Sequence, residues 1–248
     1  MARRRGLLPG ALLIFAGALL HGLAPGGARG AAPGEDGPPG AEAIAERLQR
    51  KYERAGSLVA DFEQENTLIS LGRTTRSKGR FSLHKPGRIR FEYREPERQI
   101  LVSDGKRLWI YTPRLRQVIL ADLERAAASP TPLLFLAGKG NLSESFRIKV
   151  EEPGVGRRKG GAWRRGQPHR LSLTPRRPDP RFQRLWLEVD PESFLILGVE
   201  FTDALGNRTR LRFTNIREGV EIPPERFTFK VPEDAEVVRV PASPGGGR

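Results

Sequence analysis

The stretch RFSLHKPGRIRFEYREPERQILVSDGKRLWIY, residues 80–111, alternates along most of its length. Phe81 and Leu83 flank Ser82, and Ile89, Phe91 and Tyr93 are interleaved with Arg90 and Glu92. A period of two sends every second side chain to one face of a sheet. The interruptions are turn chemistry: Lys85-Pro86-Gly87, Glu95-Pro96 and Ser103-Asp104-Gly105-Lys106. Asp104-Gly105 predicts a type I′ hairpin, whose two central residues both need positive φ. The segment reads as an antiparallel meander with one apolar and one charged face, so its function turns on what covers the apolar face.

Strand signals recur on both sides of the meander. They begin at Leu58, with Ala60 and Phe62 alternating against Val59 and Asp61, and continue at 76–83, 88–94, 98–103, 106–112 and 115–121. Others fall at 146–150, 169–174, 182–189, 194–202 and 208–215, and Phe227 and Phe229 suggest a last strand before a Pro-rich tail. Residues 41–55 read as a helix, with Ile44, Leu48 and Tyr52 at i, i+4 and i+8 and Gly56 as its stop. A second, short helix is predicted where Thr131 caps, Pro132 opens and Gly138 closes an apolar run. The Gly- and Arg-rich stretch 151–168 reads as a long mobile hairpin loop. A flat sheet of so many strands exposes its edges and encloses no core. The pattern therefore predicts one mainly β domain, 41–240, with short helices laid over the concave face of a curved sheet or partial barrel.

The 248-residue chain begins with Arg3, Arg4 and Arg5, an apolar run at 7–20, and small residues through Gly30. This tripartite pattern is that of a signal peptide over 1–30, too short for a stable span. Residues 31–40 read as a flexible linker and 241–248 as a disordered tail. Cysteine is absent, which excludes disulfides, thiolate metal sites, a cysteine nucleophile and lipidation at an N-terminal cysteine. Beyond residue 30 there remain 39 basic and 29 acidic residues, a net +10. Only eight of the 43 basic residues are Lys, and they are spread over strand faces, as at Arg208, Arg210 and Arg212, which argues against nucleic acid. Beyond His21, the histidines are His84 and His169, neither with metal-ligand spacing. No nucleophile elbow, phosphate loop or Gly-rich strand-to-helix turn is present. The reading is a protein that is no enzyme, needs no cofactor, and binds through inward-facing apolar area.

Four segments carry a resemblance to a known family. ILVSDGKRLWIY at 100–111, LVADFEQ at 58–64, the Lys85-Pro86 strand start and PERFTFKV at 224–231 resemble the outer-membrane lipoprotein carrier family, LolA, in sequence and order. The resemblance covers roughly 41–240. It implies an incomplete antiparallel β-barrel, a half-barrel, whose open side is capped by an α-helical lid over an apolar cavity. It also implies a monomeric periplasmic carrier that takes lipoproteins by their acyl chains from an inner-membrane ABC transporter and passes them to an outer-membrane acceptor. A periplasmic regulatory sensor of lipids or lipoproteins on a similar half-barrel is the alternative. Alternation nominates Phe62, Phe81, Leu83, Ile89, Phe91 and Tyr93 as the acyl-binding wall. Alignment to the family's strand and lid positions adds Leu101, Leu136 and Tyr52. The family usually has Arg immediately before the proline of this pair, where it latches the lid by bonding its backbone carbonyls. Here the position is Lys85, which donates a hydrogen bond but lacks the planar fork.

Overall fold

A computed structural model describes residues 40–123, 141–151, 166–177 and 183–240. The expected signal peptide, the linker up to residue 39, the short apolar helix with Leu136, most of the 151–168 loop and the tail lie outside the described residues.

Helix α1 (Ala41–Arg54) buries Ile44, Ala45, Leu48 and Tyr52, the stripe its spacing predicts. It ends at Ala55 in an extended conformation, so Gly56 is not used as a left-handed stop. Six strands follow: β1 (Ser57–Leu68), β2 (Arg73–His84), β3 (Arg88–Glu95), β4 (Gln99–Asp104), β5 (Arg107–Thr112) and β6 (Gln117–Asp122). A short helix α2 (Leu142–Ser145), capped by the Asn141 side chain, leads into β7 (Phe146–Glu151). Strands β8 (His169–Pro175), β9 (Arg184–Val189), β10 (Ile196–Thr202) and β11 (Arg208–Glu218) form the other wing, and β12 (Glu236–Arg239) comes last.

All twelve belong to one open sheet, in the order β12-β6-β5-β4-β3-β2-β1-β11-β10-β9-β8-β7. Strand β1 joins the two wings, pairing antiparallel with β2 on one side and β11 on the other. Paired residues share a face, so the pairing writes apolar rows across the sheet. One row is Ala60, Phe81, Phe91, Leu101, Ile110 and Ile119. Another starts at the polar Gln64 and runs through the apolar Leu211, Val199, Leu187, Leu171 and Val150. These rows form the inner face, and α1 packs against it within one core cluster drawn from both wings.

Three expectations need correction. Phe227 ends a turn of 3-10 helix (Pro224–Phe227) and Phe229 lies in irregular chain; neither is in a strand. Both side chains pack on the outer face, Phe227 with Val59 and Ile222 and Phe229 beside Trp109 and Tyr111. Their alternation marks contact with the sheet surface, not membership of it. The last strand is instead β12, beyond the Phe227–Phe229 segment expected to supply it; it pairs parallel with β6 from Glu236 opposite Gln117. The hairpin between β4 and β5 is present, but Gly105 (φ 98°) is its only positive-φ residue. Asp104 instead accepts from the backbone N–H of Lys106 and Arg107 through Oδ1, so glycine occupies the first central position, the pattern of a II′ loop.

Candidate functional site

The inner face is assembled by alternation, and the nominated residues meet there. Phe62, Phe81, Leu83, Ile89, Phe91 and Tyr52 are buried in one cluster, with Tyr93 and Leu101 packed at its edge. Phe62 stands edge-on to Phe91 at 5.3 Å and to Tyr93 at 4.9 Å between ring centroids, and Phe81 lies 4.6 Å from Phe91. Gly79, opposite Phe62 on β2, is required here: a Cβ at that position would overlap the Phe62 ring and the Glu92 carbonyl. These side chains touch one another rather than facing an open space, because apolar walls gain free energy by meeting.

The opposite wall was not nominated from sequence. Ile44 and Leu48 of α1, Phe146 of β7, Leu171 and Leu173 of β8, Leu185 and Leu187 of β9, Val199 of β10 and Phe213 of β11 belong to the same cluster. The same alternation placed most of them on strands; the missing information was that both wings share one interior.

Electrically the inner face is quiet. Tyr93 Oη donates to Gln64 Oε1 at 2.8 Å, and Gln64 Nε2 donates to Asn66 Oδ1 at 3.0 Å. Burial pushes the Tyr93 hydroxyl far above its ordinary pKa. Tyr52 is raised too, mainly by burial, against the hydrogen bond its Oη accepts from the Ile196 N–H at 3.2 Å. Both stay neutral. His169 is buried at the start of β8, opposite Val189, and desolvation first and Arg47 second hold its imidazole below the ordinary value, with Asp190 opposing. The buried carboxylate among the described residues, Glu200, faces outward to Arg210 at 2.8 Å, with Arg208 and Arg170 beyond. Among the described residues the inner face is mainly apolar and uncharged, a lining suited to apolar ligands.

Lys85 sits half-buried where β2 ends, beside the α1 C-terminus. Its backbone N–H donates to Gly56 O at 2.9 Å. Desolvation lowers the pKa of its amine, with Glu53 of α1 opposing. Its expected carbonyl partners near Leu136 lie outside the described residues. His84 is half-buried with Nδ1 2.8 Å from Arg88 Nη2 and its ring 6.1 Å from Phe227. Asp190 and Glu192 form a turn in which Asp190 Oδ1 accepts from the N–H of Glu192 and Ser193 and from the Ser193 hydroxyl. Among the described residues no three metal-binding side chains converge, and no helix is long and apolar enough to cross a membrane.

Known proteins resemble the chain over most of its length. A family model described as outer membrane lipoprotein carrier protein LolA matches residues 53–230. An outer-membrane lipoprotein carrier protein from Chromohalobacter salexigens is 33% identical over 79% of this chain and 86% of its own. One from Chromobacterium violaceum is 31% identical over 84% and 92%. Among solved structures, an uncharacterized conserved protein from Thermus thermophilus superposes with a TM-score of 0.51 over 81% of this chain and 99% of its own, at 15% identity, a likeness of fold.

Proposed function

The chain belongs to the outer membrane lipoprotein carrier family, LolA, and on that premise we propose that its inner face is the site that holds the acyl chains of lipoproteins in transit. The protein is a lipoprotein carrier of the periplasm. The observation that supports this site best is the uncharged apolar interior shared by both wings and α1. Each acyl CH₂ buried is worth about 0.8 kcal/mol, so a lipoprotein's chains in water cost tens of kcal/mol and free diffusion is too slow to be useful. A carrier replaces lipid by protein apolar surface.

Because the walls are closed on one another, loading requires α1 to part from the sheet so that acyl chains replace side-chain contacts. Phe62, Phe81, Leu83, Ile89, Phe91, Tyr93, Leu101, Leu136 and Tyr52 are the residues proposed to face them. Residues 1–30 are proposed to direct export, an inner-membrane ABC transporter to supply cargo and an outer-membrane acceptor to receive it. Spheroplasts carrying the matching transporter should release lipoproteins only when this protein is added; no release with a verified transporter overturns the proposal.

Lys85 is proposed as the latch of the closed form. A hydrogen bond from a charged donor contributes about 1.5–3 kcal/mol, enough to bias a two-state lid without locking it. Lys85→Leu should load cargo but hand it on poorly, and Lys85→Arg should transfer at least as well as the parent. Transfer to acceptor membranes measures both, and unchanged transfer by the Leu variant removes Lys85 from the mechanism.

A further inference from the structure

The strand turns fall into two sets. The register places His84–Arg88, Asp104–Arg107 and Asp190–Ile196 at the end of the sheet where α1 runs into β1. The turns after β1, β3, β5 and β10 lie at the other end, the distal rim. Among the described residues, apart from the valines of and beside β12, the large exposed aliphatic side chains are all distal: Ile69 at 59%, Leu71 at 66%, Leu115 at 38% and Leu205 at 78% exposure. The α1-proximal turns expose none of that kind among the described residues.

Two of the distal tips are fastened together. Asn207 Oδ1 accepts from the Ile69 N–H at 3.1 Å, and a Cβ on Gly206 would lie 4.0 Å from Ile69 Cγ1. Asp203 accepts from the N–H of Leu205 and Asn207 at 2.9 Å each, which fixes the turn with Leu205 outward. An isolated exposed Leu means little, but three aliphatic side chains on two joined tips form a built protrusion. Arg73 follows the β1–β2 tip directly, and Arg94 and Arg98 stand at the neighbouring β3–β4 turn, set back along the strands where Glu95 lies opposite Lys78. All three arginines are exposed and have no ion pair among the described residues, whereas Glu97 is spent on Arg114 at 3.1 Å and Asp203 on its own loop, which leaves Glu95 as the exposed acidic neighbour of Arg94.

We propose that the distal rim docks on an anionic phospholipid bilayer, with Ile69, Leu71 and Leu205 entering the interface and Arg73, Arg94 and Arg98 meeting lipid phosphates. Aliphatic tips backed by exposed arginine are the combination that anionic interfaces bind. A bilayer also accepts protruding tips without a matching surface, whereas a protein partner has to supply complementary pockets. The proposal goes beyond cargo carriage and does not depend on it.

The chain has no cysteine, so single labels report cleanly. Leu71→Cys, Leu205→Cys and, as the α1-proximal control, Glu192→Cys are labelled with an environment-sensitive fluorophore. Each is mixed with protein-free vesicles of phosphatidylethanolamine and phosphatidylglycerol, or of phosphatidylcholine, without lipoprotein. The labels at 71 and 205 should shift to the blue and be quenched by spin-labelled lipid on the anionic vesicles, and the label at 192 should not. Leu71→Ser combined with Leu205→Ser should weaken vesicle binding about tenfold or more, because two aliphatic contacts are lost. Arg73→Glu combined with Arg98→Glu should remove the preference for anionic lipid. Equal responses at all three labels, or a response at 192 alone, overturn the proposal. Protection of 71 and 205 only by membranes that contain protein overturns it in favour of a protein partner. None of these outcomes bears on acyl-chain carriage.

Discussion

Along β3, Ile89, Phe91 and Tyr93 face α1, while Arg90 and Glu92 face the C-terminal segment 220–240. The two faces of one strand are thus covered by two different kinds of lid. The outer cover is fastened by directional contacts. Arg90 Nε and Arg226 Nη2 donate to the Glu92 carboxylate at 2.6 and 2.7 Å, Arg90 Nη1 donates to Arg226 O, and Ser57 Oγ donates to Val220 O at 2.6 Å. Burial alone would raise the Glu92 pKa, and the two guanidinium groups together hold it below its ordinary value. β12 then extends the sheet. The inner cover, α1, lies mainly on Ile44, Ala45 and Leu48, with polar ties at Gln49, Lys51 and Tyr52. Apolar contact is non-directional, so another apolar body can take its place at little loss; a hydrogen-bonded ion pair cannot be exchanged in that way. On the proposed function, the inner lid, with fewer directional ties, is the one proposed to exchange and the outer lid the one proposed to stay.

The sharpest way to break this contrast is to damage each lid in turn. Phe227→Ala, at the buried centre of the outer cover, should cost about 3–5 kcal/mol in urea unfolding and leave acyl-peptide affinity per folded molecule unchanged. Leu48→Ala under the inner cover should cost about 2–5 kcal/mol, yet raise acyl-peptide uptake, because the closed form loses more than the loaded one. Reduced uptake would mean that α1 is a fixed part of the core. Gly79→Ala drives a Cβ against the Glu92 backbone carbonyl as well as the Phe62 ring and should cost about 1–3 kcal/mol or more by overpacking, read as a lower melting temperature.

The smallest effect is a titration on the inner face. The folded pKa of His169 is depressed, so between its ordinary value near 6.5 and the lower folded value the unfolded chain binds the proton more readily. Its contribution to stability is full above that window and falls as pH drops through it. His169→Gln should flatten that part of the profile, measured by urea midpoints from about pH 7 to pH 5. An unchanged slope would show that other groups set it.

Alternation alone located the β meander and the inward residues from Phe62 to Tyr93, since a period of two leaves only two faces and burial chooses one. The i, i+4, i+8 stripe of Ile44, Leu48 and Tyr52 located α1 for the same kind of reason. Non-local information decided the rest. Phe227 and Phe229 alternate like a strand, but β4 and β5 already pair with each other, so those rings pack on the sheet's outer surface instead. Val237 and Val238 were not read as a strand, because only pairing with the edge of β6 makes one of them. Leu171, Leu185 and Phe213 were legible as strand residues, but not as the second wall of the same interior, because β1 brings β2 and β11 together from opposite ends of the chain. A residue's face is set by its immediate neighbours in sequence; what that face meets is set by pairings more than a hundred residues apart, and these exist only once the sheet has formed.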